Sequence, residues 1–433
     1  MSEAESVPAD DPGTEASADA VAEHAAEEPE PAPPAPLLEL RDGLPDLVVT
    51  SEQLARVSSA IAGGSGPVAI DAERASGYRY SARAYLIQLR REGAGTALVD
   101  PIAFDDLDPL VKALDGTEWI LHAASQDLPC LTELGLRPAK LFDTELAGRL
   151  LGYPRVGLAT LVEEILGSRL RKEHSAVDWS TRPLPKPWLD YAALDVEPLI
   201  ELRDALHEQL VEAGKWEWAA QEFEHLITAG PAEPRAEPWR RTSGLHRVRG
   251  RRALAAVRAL WVARDEIAAQ RDVTPGRIIP DSAIVEAATA LPRDRATLLG
   301  IRGFHGRGAQ RYVGVWVDAL RQARELPDAE LPQAAARYDG PPPPRAWTEK
   351  DPVAAARLTQ ARSALQERAQ ELSVPVENLL TPDYVRRVLW QPPAAEPEAV
   401  AEALRELGAR PWQVELTASI LAEAIRDHPP AGE

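Results

Sequence analysis

Two proline-rich breaks divide this chain into three segments. The first break reads Gly230-Pro231-Ala232-Glu233-Pro234, and the second reads Gly340-Pro341-Pro342-Pro343-Pro344. Proline lacks a backbone donor and fixes φ, so neither a helix nor an inner strand continues through such a run. The length of 433 residues is enough for two or three compact domains. The breaks therefore predict linkers between separate domains.

The segment before the first break has the pattern of an α/β domain. Apolar runs of strand length occur at 67–70, 85–89, 96–99 and 118–122, separated by polar or Gly-containing stretches. Helical periodicity dominates at 143–166 and again at 188–226. The later segments, 240–324 and 345–428, have helical periodicity throughout, which predicts two small all-α domains.

The start of the chain is predicted to be a disordered acidic tail, residues 1–45. Residues 1–40 contain eleven acidic residues and no Lys or Arg, and they are poor in aromatic and β-branched residues. The first thirty residues lack the basic start and apolar core of a signal peptide, and the single cysteine, Cys130, excludes an intramolecular disulfide. These features predict a cytoplasmic protein. No apolar run approaches the roughly 20 residues that cross a bilayer, so no membrane partner is expected.

Positive charge is concentrated in one part of the chain. The formal net charge is −20, yet residues 240–321 contain sixteen arginines and seven acidic residues. The cluster Arg247, Arg249, Arg251 and Arg252 is predicted to contact backbone phosphates of a nucleic acid. In the alternative, this segment docks against the acidic first domain or the tail.

Carboxylates at fixed spacings are the candidates for chemistry. Asp71 and Glu73 end an apolar run, where residues i and i+2 of a strand project from one face. Asp127 follows the run at 118–122, where it could instead cap a helix. Tyr191 and Asp195 are four residues apart and share a helical face. Close carboxylates repel each other, and divalent cations relieve that repulsion.

The order of these residues resembles a known family. Asp-x-Glu, then Asp, then Tyr-x-x-x-Asp resembles the three motifs of the DEDD exonuclease superfamily, Tyr subtype. Three neighbouring words look like ribonuclease D: His122-Ala123-Ala124-x-Gln126-Asp127-Leu128, Asp178-Trp179-Ser180-x-Arg182-Pro183-Leu184 and Tyr191-Ala192-Ala193-Leu194-Asp195-Val196. The resemblance implies a ribonuclease H-like fold, a mixed sheet flanked by helices, for residues 46–228.

The resemblance also implies an activity and a cofactor. The activity is 3′-to-5′ exoribonuclease hydrolysis of RNA with a free 3′ end. Two divalent cations, Mg²⁺ or Mn²⁺, are expected to be held by Asp71, Glu73, Asp127 and Asp195. Tyr191 is expected to position the attacking water, since a phenol with a pKa near 10 is a poor base at neutral pH.

The helical segments carry their own resemblance. Three words look like the HRDC domain, the helical domain shared by helicases and ribonuclease D: Leu260-Trp261-x-x-Arg264-Asp265-Glu266-Ile267-Ala268, Pro275-Gly276-Arg277-Ile278-Ile279-Pro280-Asp281 and Ile301-Arg302-Gly303-Phe304. Residues 240–324 are therefore expected to form a first HRDC domain. Residues 345–428 look like a second, more diverged copy.

Three further residues are candidates for substrate contact, each with a structural alternative. His122 either contacts substrate or is satisfied locally at the strand end. Trp179 either stacks on a base or packs internally, and Arg182 either pairs with a phosphate or is a surface arginine.

Three functions remain open at this point. The family resemblance favours trimming of the 3′ ends of tRNA precursors or other structured RNA. The same motifs occur in DNA proofreading exonucleases, and the DEDD residues do not discriminate between the two. An inactive RNA-binding adaptor is the third reading, which the intact acidic set disfavours. No protein partner is predicted.

Overall fold

The structure, a computed structural model, describes residues 35–171, 176–230, 235–334 and 340–430. The predicted tail lies outside the described residues as far as residue 34. Residues 36–45, predicted as its end, are instead packed: Leu38 N–H donates to the Arg169 carbonyl at 2.9 Å, and Arg41 pairs with the buried Glu197 at 3.4 Å. That part of the prediction was wrong because this stretch carries leucines that pack against the hydrophobic core, Leu38 and Leu40 among them.

Within the described residues, six strands form one mixed sheet in the order β1-β4-β3-β2-β5-β6. Strand β3 pairs antiparallel with β2 and β4, while β1/β4, β2/β5 and β5/β6 are parallel pairs. The strands are β1 (Leu47–Val48), β2 (Ser65–Arg74), β3 (Ala84–Glu92), β4 (Gly95–Val99), β5 (Glu118–Leu121) and β6 (Lys140–Asp143). The four predicted strands are β2 to β5. The edge strands β1 and β6 were not predicted, since two to four residues carry too little pattern.

Helices cover the sheet on both sides and complete the predicted α/β domain. They are α1 (Ser51–Gly63), α2 (Asp108–Leu114), α3 (Leu128–Glu133), α4 (Thr144–Leu151), α5 (Leu158–Leu166), α6 (Lys186–Val196), α7 (Leu199–Glu212) and α8 (Trp216–Thr228). The long periodic stretches are thus divided into shorter helices. Gly152 and Gly214, both at positive φ, end two of them.

Two all-α modules follow, as predicted. The first contains α9 (Arg251–Arg271), α10 (Pro275–Ile278), α11 (Asp281–Ala290), α12 (Arg295–Leu299), α13 (Arg307–Arg311) and α14 (Val313–Glu325). The second contains α15 (Trp347–Lys350), α16 (Pro352–Glu371), α17 (Val376–Leu379), α18 (Pro382–Trp390), α19 (Pro397–Glu406) and α20 (Pro411–Asp427). Among the described helices, none combines the length and hydropathy needed to cross a bilayer.

The two modules share a local design. In each, a long helix is followed within two residues by one in the left-handed region, Asp272 (φ 46°) or Ser373 (φ 49°), and then by a four-residue helix. This parallel favours the proposal that the second module is a diverged copy of the first.

The same corner of each module contacts the α/β domain. Asp272 accepts hydrogen bonds from the backbone N–H groups of Tyr80 and Ser81, at 3.2 and 2.9 Å. The Ser373 carbonyl accepts from Lys215 at 3.3 Å, and it lies where a Cβ at Gly152 would be only 2.6 Å away. Glycine at 152 is therefore required by this close approach as well as by its φ of 84°.

The modules differ in whether their hydrophobic core is separate from that of the α/β domain. The first has its own hydrophobic core, around Leu260, Ile284 and Trp316. The second shares one continuous core with the α/β domain. At that junction Trp412 stacks on Trp218 with ring centroids 5.0 Å apart.

Candidate active site

Three carboxylates from two distant parts of the chain converge at the centre of the sheet. Asp71 and Glu73 project from one face of β2, and Asp195 comes from α6, which packs on that face. One carboxylate oxygen of each residue lies within 4.8 Å of those of the other two. The strand spacing places the first two together, and the packing of α6 brings the third.

Asp127 borders this group from the turn after β5. The turn begins at Ala123, whose φ of 60° lies in the left-handed region. The Asp143 carboxylate holds it by accepting from the backbone N–H groups of Ala123 (3.1 Å) and Ala124 (2.8 Å). Asp127 caps no backbone N–H of α3 with its side chain, so the helix-capping alternative does not describe it.

Arg74 is the cation nearest these acids. Its guanidinium lies 3.5 Å from the Asp127 carboxylate, and its charge lowers the pKa values of Asp71, Glu73 and Asp127. One partly exposed arginine does not neutralise four carboxylates. Full ionisation of the four acids would leave the site with an excess of negative charge.

Burial and mutual repulsion raise the pKa values of the acids. Burial is the largest cause in each case, and it raises the pKa of Asp71 to about 6, of Asp127 to about 8 and of Glu73 to about 10. The charges of neighbouring acids add to the rise at Glu73 and Asp127. The pKa of Asp195 is also raised, by burial first and then by Asp71.

Tyr191 completes the group, one helical turn before Asp195. Its hydroxyl is hydrogen-bonded to the Asp195 carboxylate. Burial, followed by the charge of Asp195, raises the pKa of the Tyr191 phenol well above its ordinary value. Tyr191 is therefore protonated at neutral pH and acts as a hydrogen-bond donor.

The arrangement fits a divalent cation. Hard carboxylate oxygens are the ligands that Mg²⁺ and Mn²⁺ prefer, and a cation would offset the charge that raises these pKa values. The structure brings carboxylate oxygens of Asp71, Glu73 and Asp195 within 4.8 Å of one another and places Asp127 beside them. Their individual roles as ligands remain a prediction.

The metal-free protein should lose stability as pH rises. Asp71, Asp127 and Glu73 have folded-state pKa values above their unfolded values, so the folded chain binds more protons than the unfolded chain. Their contribution is then most favourable below about pH 4, and it is lost as pH rises through the folded pKa values. In EDTA, we expect the Tm to fall by roughly 5 °C between pH 6 and pH 9.

Adding Mn²⁺ should reverse this trend, because a ligand that binds only the folded state stabilises it. The gain in Tm should be larger at pH 9 than at pH 6, and thermal-shift measurements in EDTA and in Mn²⁺ test it. Glu73→Gln should flatten the EDTA profile because, with a Glu73 pKa of about 10, the contribution of this acid to stability falls throughout that pH range. A profile that is equally steep in that variant would mean that groups elsewhere cause the pH dependence.

The three additional candidates all form contacts within the protein. His122 Nδ1 is 2.9 Å from the Thr144 hydroxyl, and burial lowers the pKa of His122 to about 4. Trp179 is fully buried and packs edge-on against Trp188 at 5.6 Å. These placements favour local satisfaction for His122 and internal packing for Trp179 over contact with substrate.

Arg182 has a structural role that its sequence context did not indicate. Its guanidinium forms two hydrogen bonds with the buried Asp100 carboxylate, at 2.6 and 2.7 Å. It also donates to the carbonyls of Tyr85, Trp179 and Thr181, each at 2.8 Å. With its donors so engaged, Arg182 stabilises the loop before α6, although its side chain remains partly exposed.

The predicted arginine cluster divides into two pairs. Arg251 donates to the carbonyls of Leu331 (2.7 Å) and Pro332 (3.1 Å), and Arg252 binds Leu326 and Asp328, so both fix the segment after α14. Phosphate contact by these two is disfavoured because their donors are engaged.

Arg247 and Arg249 are differently placed. Arg249 is exposed and donates to the His246 carbonyl at 2.8 Å. Arg247 lines an open cleft of about 790 Å³ together with Arg302, Ser282 and Glu286. Neither Arg247 nor Arg302 has an ion-pair partner among the residues that the structure describes.

Sequence reasoning missed two residues of the site. Arg74 directly follows Glu73, so its position was available but its pairing with Asp127 was not. Asp143 caps α4 through the backbone N–H groups of Glu145 and Leu146, at 2.9 and 3.2 Å, while it also holds the turn that carries Asp127. The only sequence feature that marks Asp143 is its position between an apolar run and a helix.

Comparisons with known families follow the same division of the chain. Residues 45–211 match the family described as 3′-5′ exonuclease, and residues 253–320 match the HRDC domain. Residues 340–425 match the family described as 3′ to 5′ exonuclease C-terminal domain.

Curated relatives and solved structures cover most of the chain. Ribonuclease D of Acidiphilium cryptum is 34% identical over 312 residues, which cover 69% of this chain and 77% of that protein. Ribonuclease D of Gluconacetobacter diazotrophicus is also 34% identical over 312 residues, covering 70% and 78%. A crystal structure of a protein from Bifidobacterium adolescentis is 39% identical, with a TM-score of 0.83 over 90% of this chain and all of that one.

The crystal structure of Escherichia coli RNase D shares the fold. It is 24% identical, with a TM-score of 0.67 over 89% of this chain and 99% of that one.

Proposed function

The chain belongs to the ribonuclease D family, whose members are 3′-to-5′ exoribonucleases, and we propose that Asp71, Glu73, Asp127 and Asp195 perform this hydrolysis with two divalent cations. The observation that carries the proposal is the meeting of three carboxylates within 4.8 Å at the junction of β2 and α6. Tyr191, hydrogen-bonded to one of them, supplies the fifth functional group.

The cations would be held by the carboxylates of this group, with Mg²⁺ or Mn²⁺ suited to such oxygen ligands. When bound, they supply the acidity that activates a water and the charge that stabilises the leaving oxygen of the phosphodiester. Tyr191 keeps its proton and therefore orients the attacking water through its hydroxyl.

The proposed substrate is RNA with a free 3′ end, in particular a tRNA precursor or another structured RNA. A DNA exonuclease would use the same carboxylates, so the test compares the two polymers directly. Single-stranded RNA and DNA of matched sequence, each labelled at the 5′ end, are incubated with the full chain in Mg²⁺, in Mn²⁺ or in EDTA. A metal-dependent ladder that shortens from the 3′ end, faster on RNA, is expected. Faster shortening of DNA would favour the DNA reading, and no shortening in either metal would favour the adaptor.

The first HRDC module is the proposed contact for the RNA backbone. It contains most of the basic segment, and two of its arginines, Arg247 and Arg302, line one cleft without an ion-pair partner among the described residues. Guanidinium groups of this kind near solvent are free to bind phosphate without breaking an existing ion pair.

Replacing Arg247 and Arg302 together by Ala should weaken the binding of structured RNA and make it less dependent on salt. Each phosphate that the protein no longer neutralises lowers the slope of log K against log salt by about 0.7–0.9, so the slope should decrease by roughly 1.4–1.8. Fluorescence anisotropy with labelled RNA in EDTA measures binding without cleavage.

Arg321→Ala is the control, since Arg321 lies in the same module but is paired with Asp318 and Glu325. It should change the slope little. If the double variant binds with the slope of the wild type, this cleft does not contact RNA. Arg251 and Arg252 are unsuitable for the test, because their replacement would release the segment after α14.

A further inference from the structure

Gln88 is a buried polar residue that does not belong to the proposed catalytic group. It lies in the middle of β3 and is fully buried. Neither Oε1 nor Nε2 of its side chain has a hydrogen-bond partner within the described part of the chain. Buried side-chain amides are normally hydrogen-bonded. The unpaired amide of Gln88 therefore needs an explanation other than its contribution to the fold.

The register of the sheet places Gln88 beside the catalytic acids. Gln88 pairs directly with Asp71 across the antiparallel strands β2 and β3. Residues directly opposite in such a pair project from the same face, with Cβ atoms about 4.5–5.5 Å apart. The Gln88 side chain therefore starts next to the Asp71 side chain, under α6.

The neighbours of Gln88 on β3 and β4 offer it no free polar group on this face. Leu98 is its partner on β4, and Leu86 precedes it on the same face; both pack with alanines of α6. Arg90, two residues later, is already paired with the buried Glu197 at 3.1 Å and with Thr96 at 2.8 Å. The acceptors left on this face are the carboxylates of the proposed catalytic group, and Asp71 is the one directly opposite Gln88.

The geometry points to Gln88 as a positioning residue for Asp71: its side-chain amide is unpaired among the described residues and would donate to the Asp71 carboxylate when a cation occupies the site. This role rests on the proposed metal site and adds a residue to it. That hydrogen bond would fix the orientation of the Asp71 carboxylate as a metal ligand. Partners of this kind support metal ligands from outside the coordination sphere.

Gln88→Met tests the role, because methionine has a similar length and shape but lacks the amide. Mn²⁺ is titrated calorimetrically into the full-length wild type, Gln88→Met and Leu86→Met. Gln88→Met should bind Mn²⁺ about 10–100-fold more weakly, as is typical when such a partner is removed. Leu86→Met, on the same face of the same strand, should stay within about twofold of the wild type.

The stability of the metal-free protein separates positioning from packing. Replacing an unsatisfied buried amide by an apolar group of the same shape is neutral or stabilising. The Tm of Gln88→Met in EDTA should therefore equal or exceed that of the wild type, even though its Mn²⁺ affinity falls. Gln88→Leu serves as a second apolar replacement if methionine is not accommodated.

Two results would overturn the inference. The first would exclude the role of Gln88 alone, and the second would exclude the metal site as well. Wild-type Mn²⁺ affinity in Gln88→Met, with or without a lower Tm, would show that Gln88 does not orient Asp71 and leave the metal site intact. A wild-type protein that binds no Mn²⁺ would remove the metal site itself and with it this role.

Discussion

Asp71→Asn or Asp195→Asn should reduce RNA hydrolysis by at least about 10³-fold, equivalent to about 4 kcal/mol of transition-state stabilisation. Each change removes the charge of a proposed metal ligand at nearly constant volume. A carboxylate oxygen of each residue lies within 4.8 Å of one of Glu73. Single-turnover cleavage of a 5′-labelled RNA measures the loss. Both variants should fold, and in EDTA the Tm of Asp71→Asn should rise, because burial disfavours the Asp71 charge.

Asp190→Asn is the matched control for this prediction. Asp190 lies on α6 beside Tyr191 but outside the carboxylate group. It should retain the wild-type rate within a few-fold. If Asp71→Asn or Asp195→Asn kept more than about a tenth of the wild-type rate, a loss under roughly 1.4 kcal/mol, the assignment of metal ligands would be incorrect.

Tyr191→Phe should lower kcat by on the order of 10²-fold with little change in KM. The variant loses only the hydroxyl, which in the structure is hydrogen-bonded to Asp195. Since burial keeps the phenol protonated, its replacement removes an oriented donor and not a base. Steady-state kinetics on a short single-stranded RNA separates kcat from KM.

Tyr153→Phe provides the comparison for a hydroxyl away from the site. The Tyr153 hydroxyl donates to Gln209 at 2.8 Å, so its removal should cost about 1 kcal/mol of stability and leave kcat unchanged. The opposite pattern at Tyr191, a lower Tm with unchanged kcat, would identify Tyr191 as a packing residue.

The sequence predicted which site residues share a strand face or a helix face. It did not predict the residues that hold the site in place. Spacing alone places Asp71 with Glu73 on a strand face and Tyr191 with Asp195 on a helix face. No local rule brings β2 and α6 together; that expectation came from the family resemblance, and the α/β fold followed by two helical modules is confirmed. Asp143 could not be identified in this way, because its contacts to Ala123 and Ala124 join residues about twenty positions apart.

Arginine roles were the least predictable feature. A charge count identifies the basic segment but does not tell which guanidinium groups face solvent. Arg251 and Arg252 stand at the start of α9 within reach of the carbonyls after α14, a contact across about eighty residues. Arg182 likewise reaches Asp100 across 82 positions. Such pairings depend on how the chain returns on itself.

The core shared by the α/β domain and the last module bears on how this protein is synthesised. The Trp412 indole N–H donates at 2.9 Å to Glu222, from which it is separated by 190 positions, and Arg410 binds the same carboxylate at 2.7 Å. The first HRDC module, with a core of its own, lies between these partners in the sequence, and we expect it to fold on local contacts while the chain is still growing. The face carrying Trp218 and Glu222 stays open until the final helix leaves the ribosome. Premature termination after the first HRDC module would therefore leave a nascent nuclease with an exposed apolar surface, a ready target for chaperones and proteases.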